Sequence, residues 1–205
     1  MEKELDVEYD QIFIIDCLPE EEREKYKISQ DLMQFLADNG IKQETSICRN
    51  RPLFMATMKS LEKRAANGEK FALHIISHGD AKGLWIKSTD EDVLWTDLRN
   101  FLKEINSHMK GSLIVNMTSC LGLHGIKIVD ENEAQLPFFG LIGYSKDLPV
   151  GIGKEFNREF YQKMLAGEDI SQAVSEIKTT LSDDNFYCIS ALGYKAIKNT
   201  LNRYK

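Results

Sequence analysis

Two dipeptides in this sequence have side chains that could do chemistry together. His78-Gly79 follows the apolar run FALHIIS at 71–77, and Ser119-Cys120 comes just after the apolar run SLIVNM at 112–117. Both runs have strand length and buried-strand composition, so each dipeptide falls at the end of a core strand. A cysteine nucleophile needs a base or an electropositive site to populate its thiolate, and an imidazole at the same sheet edge supplies the base. Attack on a carbonyl creates an oxyanion that preorganised backbone N–H groups can hold. Gly79 lets the chain turn tightly enough to aim its N–H inward, and the N–H of Cys120 is the natural second donor. His74 lies inside its strand run and is expected to be packed or hydrogen-bonded.

These residues need a frame that brings two strand ends together, and apolar runs of strand length alternating with helical periodicity predict one. That alternation is the signature of an α/β domain with a mostly parallel sheet. The first strand is QIFIID at 11–16, ending at Asp16. An acidic connector leads to a helix over 29–40, with Leu32, Phe35 and Leu36 on one face and Gly40 as its stop. A strand at 45–49 and a helix from Pro52 to about Asn67 follow, then the strand before His78. Two short runs, 84–87 and 93–95, predict a hairpin, and 97–107 predicts a helix. After the strand before Cys120 come a strand at 137–145, two amphipathic helices separated by Gly167, a closing strand in NFYCISALGY and a basic terminal helix from Lys195.

Composition narrows the classes. The 205 residues fit one domain spanning 1–205, and 13 Gly plus 4 Pro with 42% hydrophobic residues exclude collagen-like and disordered chains. A net charge of −6 gives no reason to expect nucleic acid as a direct partner. The four cysteines, 17, 48, 120 and 188, form no Cys-x-x-Cys pair, which argues against a zinc finger and fits reduced thiols. The acidic start MEKELDVEYD is not signal-like and no apolar run has membrane-spanning length, so a cytoplasmic protein without membrane contact is expected. Cys17, Cys48 and Cys188 are expected to be packing residues. His124, four residues after Cys120, raises a Cys-x-x-x-His metal pair, but no further ligand has suitable spacing, and no metal or cofactor is expected. GIGKEF at 151–156 lacks the full spacing of a phosphate loop.

HIISHG, followed about forty residues later by LIVNMTSCLG, resembles the His-Gly and Ser-Cys signatures of caspase-like, clan CD cysteine peptidases. GLIGYSKDLPVGIGKEFNREFYQKMLAGEDISQAV is similar to the second half of the CHAT subgroup, and NFYCISALGY fits its final strand. The resemblance spans residues 71–192. It implies a caspase-hemoglobinase-like three-layer sandwich, with a mostly parallel central sheet of about six strands flanked by helices. It further implies a cysteine endopeptidase acting on a protein substrate. His78 would be the catalytic histidine, Cys120 the nucleophile, and Gly79 with Cys120 the oxyanion hole. Asp16 and Asp147 fall where relatives preferring a basic P1 residue place the carboxylates of the S1 pocket. Thr118 stands where many members carry an aspartate two residues before the nucleophile. Such relatives act in bacterial defence or cell-death systems, which implies a regulatory or sensor partner. Two other readings remain: a catalytically inactive caspase-like scaffold for protein interactions, and a receiver-like module using Asp16 at its strand end.

Overall fold

Four strands, at 11–16, 71–76, 114–118 and 140–144, have residues buried on both faces, which only a sheet covered on both sides can satisfy. In the computed structural model, which describes residues 9–130 and 132–203, that sheet is the centre of the chain. It has six strands: β1 (Gln11–Asp16), β2 (Gln43–Ile47), β3 (Phe71–Ile76), β7 (Ile114–Thr118), β8 (Gly140–Tyr144) and β9 (Phe186–Ser190). Their order is β2-β1-β3-β7-β8-β9; all neighbours are parallel except β9, which runs antiparallel to β8 at the edge. A second, three-stranded antiparallel sheet, β4 (His78–Gly79), β5 (Gly83–Ile86) and β6 (Glu91–Leu94), grows directly out of the end of β3.

The two-residue alternation of the strands divides the core in two. Phe13, Ile15, Phe71, Leu73, Ile75, Val115 and Met117 face α3 (Arg51–Ala66), α4 (Trp95–His108) and the 3₁₀ helix Gly122–Ile128. Ile12, Ile14, Ala72, Ile76, Ile114 and Ile142 face α2 (Ile28–Asp38), α5 (Val150–Leu165) and α6 (Ile170–Leu181). The result is an α/β arrangement in three layers, helices on each side of one mixed, mostly parallel sheet. Phe156 of α5 stacks flat against Phe186 at 3.7 Å between ring centroids, which ties the antiparallel edge strand to the helical layer.

Local chemistry sets the element ends. Asn50 accepts from the Leu53 N–H at 2.9 Å and Asp169 from the Gln172 N–H at 3.0 Å, capping α3 and α6. The closing strand stops at Ser190 and does not continue to Tyr194, because the Ser190 hydroxyl accepts from the Gly193 N–H and starts α7 (Ala191–Arg203). The acidic connector is itself a helix, α1 (Glu20–Tyr26), with Glu20, Glu21 and Glu22 in the turn where the helix dipole favours negative charge. Lys27, left-handed at φ 50°, is the single residue separating α1 from α2. Among the described residues, no helix is long and apolar enough to cross a membrane.

His74 is packed within β3, its Nδ1 2.8 Å from the hydroxyl of Tyr161 on α5, and burial drives its pKa down to about 3. The folded imidazole therefore stays neutral while an unfolded one protonates below about 6.5. The unfolded state then binds the extra proton, so stability is full above that pH and falls as the pH drops toward 3, by up to about 1.4 kcal/mol per unit. Urea unfolding at a series of pH values should show this slope in the wild type and a shallower one in His74→Gln.

Candidate active site

Parallel pairing of β3 and β7 sets Ile76 opposite Thr118. His78 and Cys120 each lie two residues farther along, so the two strands deliver them to the same carboxyl edge, where α/β sheets build their sites. The backbones meet closely there: a Cβ placed on Gly79 would stand 2.8 Å from the Cys120 carbonyl oxygen. No side chain fits at position 79 without moving main chain. Gly79 also has the right ladder position. Asp80 N–H donates to the Gly83 carbonyl, so the next pair, Gly79 with Leu84, falls between hydrogen-bonded pairs and the Gly79 N–H points away from β5. Asp80 is occupied in capping this turn, its Oδ1 accepting from the N–H groups of Lys82 and Gly83.

Cys120 sits in a tight turn. Gly122 N–H donates to the Ser119 carbonyl, and Leu121, at φ 54°, adopts a left-handed conformation that costs a non-glycine residue energy. Gly122 is close-packed against this turn, since a Cβ there would lie 2.7 Å from Ser119 Oγ and 3.0 Å from the Met117 carbonyl oxygen. The loop after β8 closes over this turn: Leu121 N–H donates to the Lys146 carbonyl, and the Leu148 N–H points at Cys120 Sγ at 3.3 Å. Cys120 is half-buried, and its thiol already faces one backbone donor.

The imidazole of His78 packs near Trp85 with the rings tilted at 54° and 5.6 Å between centroids, and its Nε2 is 2.7 Å from Oε2 of Glu22. Lys87 Nζ holds the other carboxylate oxygen at 2.5 Å. Burial pushes the Glu22 carboxyl up, but the hydrogen bonds and positive charge of Lys87 and His78 outweigh it and hold it below the usual range. Among the described residues the ring and the Cys120 thiol are not hydrogen-bonded to each other. Catalytic hydrogen bonds often close only around a substrate. Glu22 is the residue that the sequence does not single out, since it lies 56 positions from His78 in a stretch that reads as solvated connector.

The two acids expected in one cleft are in different surroundings. Asp147 is exposed, between Lys146 and Leu148, whose backbones touch the Cys120 turn. Asp16 is fully buried and turned inward; its oxygens accept from the Leu18 N–H at 2.9 Å and from the hydroxyl of Ser29 on α2. Burial raises its pKa, partly offset by those hydrogen bonds and by Arg23. As built, Asp16 presents no oxygen to a substrate and fastens β1 to α2.

Of the other cysteines, Cys17 and Cys48 are buried side by side at the ends of β1 and β2, and a thiol hydrogen bond to Cys48 together with burial raises Cys17 well above the usual range. Cys188 is pushed up to about 11 by burial. His124 Nδ1 lies 3.1 Å from Lys127 Nζ, and no group of three or more His, Cys, Asp or Glu residues among the described ones is placed to hold a metal ion. A cleft of about 560 Å³ lies between α2 and α5, lined by Leu32, Phe35, Lys154 and Arg158 and by neither His78 nor Cys120. No family model matches the chain, and no curated protein matches it.

Two outcomes follow for this edge. Gly79→Ala should lower stability by roughly 1–3 kcal/mol in urea unfolding, because the clash is with main chain. Brief treatment of the folded protein with iodoacetamide should alkylate Cys120 first, with Cys17 and Cys48 modified only after unfolding, as peptide mapping would read.

Proposed function

We propose that this chain is a cysteine endopeptidase that cleaves a protein substrate with Cys120 as nucleophile and His78 as acid–base partner. The observation that carries the reading is the convergence at the β3–β7 edge: a half-buried cysteine, a histidine two residues past the matched strand end, and a glycine N–H aimed away from its own ladder. The resemblance of HIISHG and LIVNMTSCLG to clan CD signatures supports the same assignment, and the three-layer architecture accords with a caspase-like domain.

In this reaction His78 takes the thiol proton and Cys120 Sγ attacks the scissile carbonyl carbon. The oxyanion sits against the N–H groups of Gly79 and Cys120. Collapse breaks the C–N bond, the departing amine takes the proton from His78, and an acyl thioester remains. Water activated by His78 hydrolyses the thioester, releasing the acid and restoring the thiol. Asp147, exposed beside the Cys120 turn, meets a Lys or Arg at P1, while Asp16 contributes to the pocket through the packing of β1 on α2. Members of the resembled family act in bacterial defence or cell-death systems, and that resemblance is what supports a role of this kind under the control of a partner protein. The inactive-scaffold reading draws on one observation, the missing hydrogen bond between the His78 ring and the thiol.

Acyloxymethyl ketone probes carrying Lys, Arg or Asp at P1 separate the two. A mass-spectrometric adduct on Cys120, absent in His78→Ala, supports the peptidase; no adduct with any probe, with or without candidate partners, favours the scaffold. Selectivity is a separate measurement. Asp147→Ala should reduce kcat/KM for basic P1 peptides by about 10- to 100-fold, the worth of a charge-assisted contact of roughly 1.5–3 kcal/mol. Asp16→Ala should lower the unfolding midpoint and leave the P1 ranking unchanged; unchanged ranking in both variants would sink the acidic pocket.

A further inference from the structure

The carboxylate of Glu22 is shared between an imidazole and an ammonium. Oε2 faces the Nε2 of His78 at 2.7 Å, and Oε1 faces the ammonium of Lys87 at 2.5 Å. The Glu22 side chain is only 15% exposed, against 31% for His78 and 46% for Lys87, so the acid is the sheltered centre of the three. Each partner comes from a different element: Glu22 from α1, His78 from β4 at the end of β3, Lys87 from the turn between β5 and β6.

We propose that Glu22 is a positioning residue that fixes the tautomer and ring direction of His78, leaving Nδ1 as the atom that receives the Cys120 proton. The inference rests on the peptidase reading for its catalytic consequence and on hydrogen-bond chemistry for the rest. An ionised carboxylate only accepts, so the ring nitrogen facing it must carry the hydrogen. In a neutral imidazole the other nitrogen then holds the lone pair. The ammonium of Lys87 and the hydrogen bond from the His78 ring hold the Glu22 carboxyl below its usual range, which keeps it an acceptor. When His78 takes the thiol proton the resulting imidazolium already faces a carboxylate, which stabilises the charge as it forms. Lys87 holds Oε1 and so stops the carboxylate from turning away. Because Lys87 sits on the hairpin, the orientation of the base depends on the small sheet being in place.

The test compares Glu22→Gln and Lys87→Met with wild type in the full chain, with retained folding checked by thermal unfolding. Long-range ¹H–¹⁵N correlation of the imidazoles, with the His78 signals assigned by their loss in His78→Ala, reads the tautomer directly. Wild type should show the Nε2–H form. Glu22→Gln, whose amide can donate as well as accept, should show a mixed or Nδ1–H form, and its kcat on a cleaved peptide should fall about a hundredfold with KM changed less than threefold. Lys87→Met should keep the Nε2–H form with a smaller loss of kcat. A wild-type Nδ1–H ring, or a Glu22→Gln spectrum identical to wild type, overturns the proposal. The tautomer is read without substrate, so if the wild type formed no probe adduct at Cys120 the peptidase reading would fall while the spectra still decided the role of Glu22.

Discussion

The parallel pairing of β3 with β7 is the constraint on which the rest depends. Hydrogen bonds along a parallel ladder fix the stagger of two strands, and here they fix it so that Ile76 and Thr118 stand opposite. Everything chemical lies just beyond those two positions. A slip of one residue in either strand would turn its buried side chains to the opposite helical layer, where other buried side chains already stand. The register is therefore held by the whole core, and the proximity of residues 78 and 120 is inherited from it without any dedicated contact between their side chains.

Around that edge the polar groups divide by how they meet the cost of burial. Asp16 is enclosed and satisfied by Ser29 and the Leu18 amide, so its carboxylate is spent on joining strand to helix. Glu22 is sheltered but kept charged by Lys87 and His78. Asp147 remains in water on the loop that covers Cys120. Three acids close to one sheet edge thus differ in what they can offer a ligand, and only the last is presented outward.

Much of this was readable in the sequence, for physical reasons that differ by residue. β1 and β3 declared themselves because a strand buried on both faces must be apolar throughout, and β3 and β7 ending in polar residues located His78 and Cys120. The hairpin of β5 and β6 was visible as two short runs with a turn between them. The α1 helix was not, since it has no apolar stripe: its one buried side chain is Arg23, and acids fill its first turn. With α1 hidden, so was Glu22, whose partner is fixed only when the chain after β1 folds across the end of β3. Asp16 was legible as a strand-end acid that either lines a pocket or accepts from neighbouring turn amides, and the choice between the two is made by the packing of α2, which brings the Ser29 hydroxyl to it. The continuation of the closing strand past Ser190 was overturned by a single serine hydroxyl acting as a helix cap.

The close approach at Gly79 has a mechanical side. The hairpin leaves the main sheet at this glycine, and α4 begins one residue after β6 ends, at Trp95. Where main chain touches main chain there is no side chain to act as a cushion. The position of the hairpin and that of the Cys120 carbonyl are therefore tied to each other through residue 79. A molecule that grips the hairpin from outside holds the main chain of Cys120 at one remove.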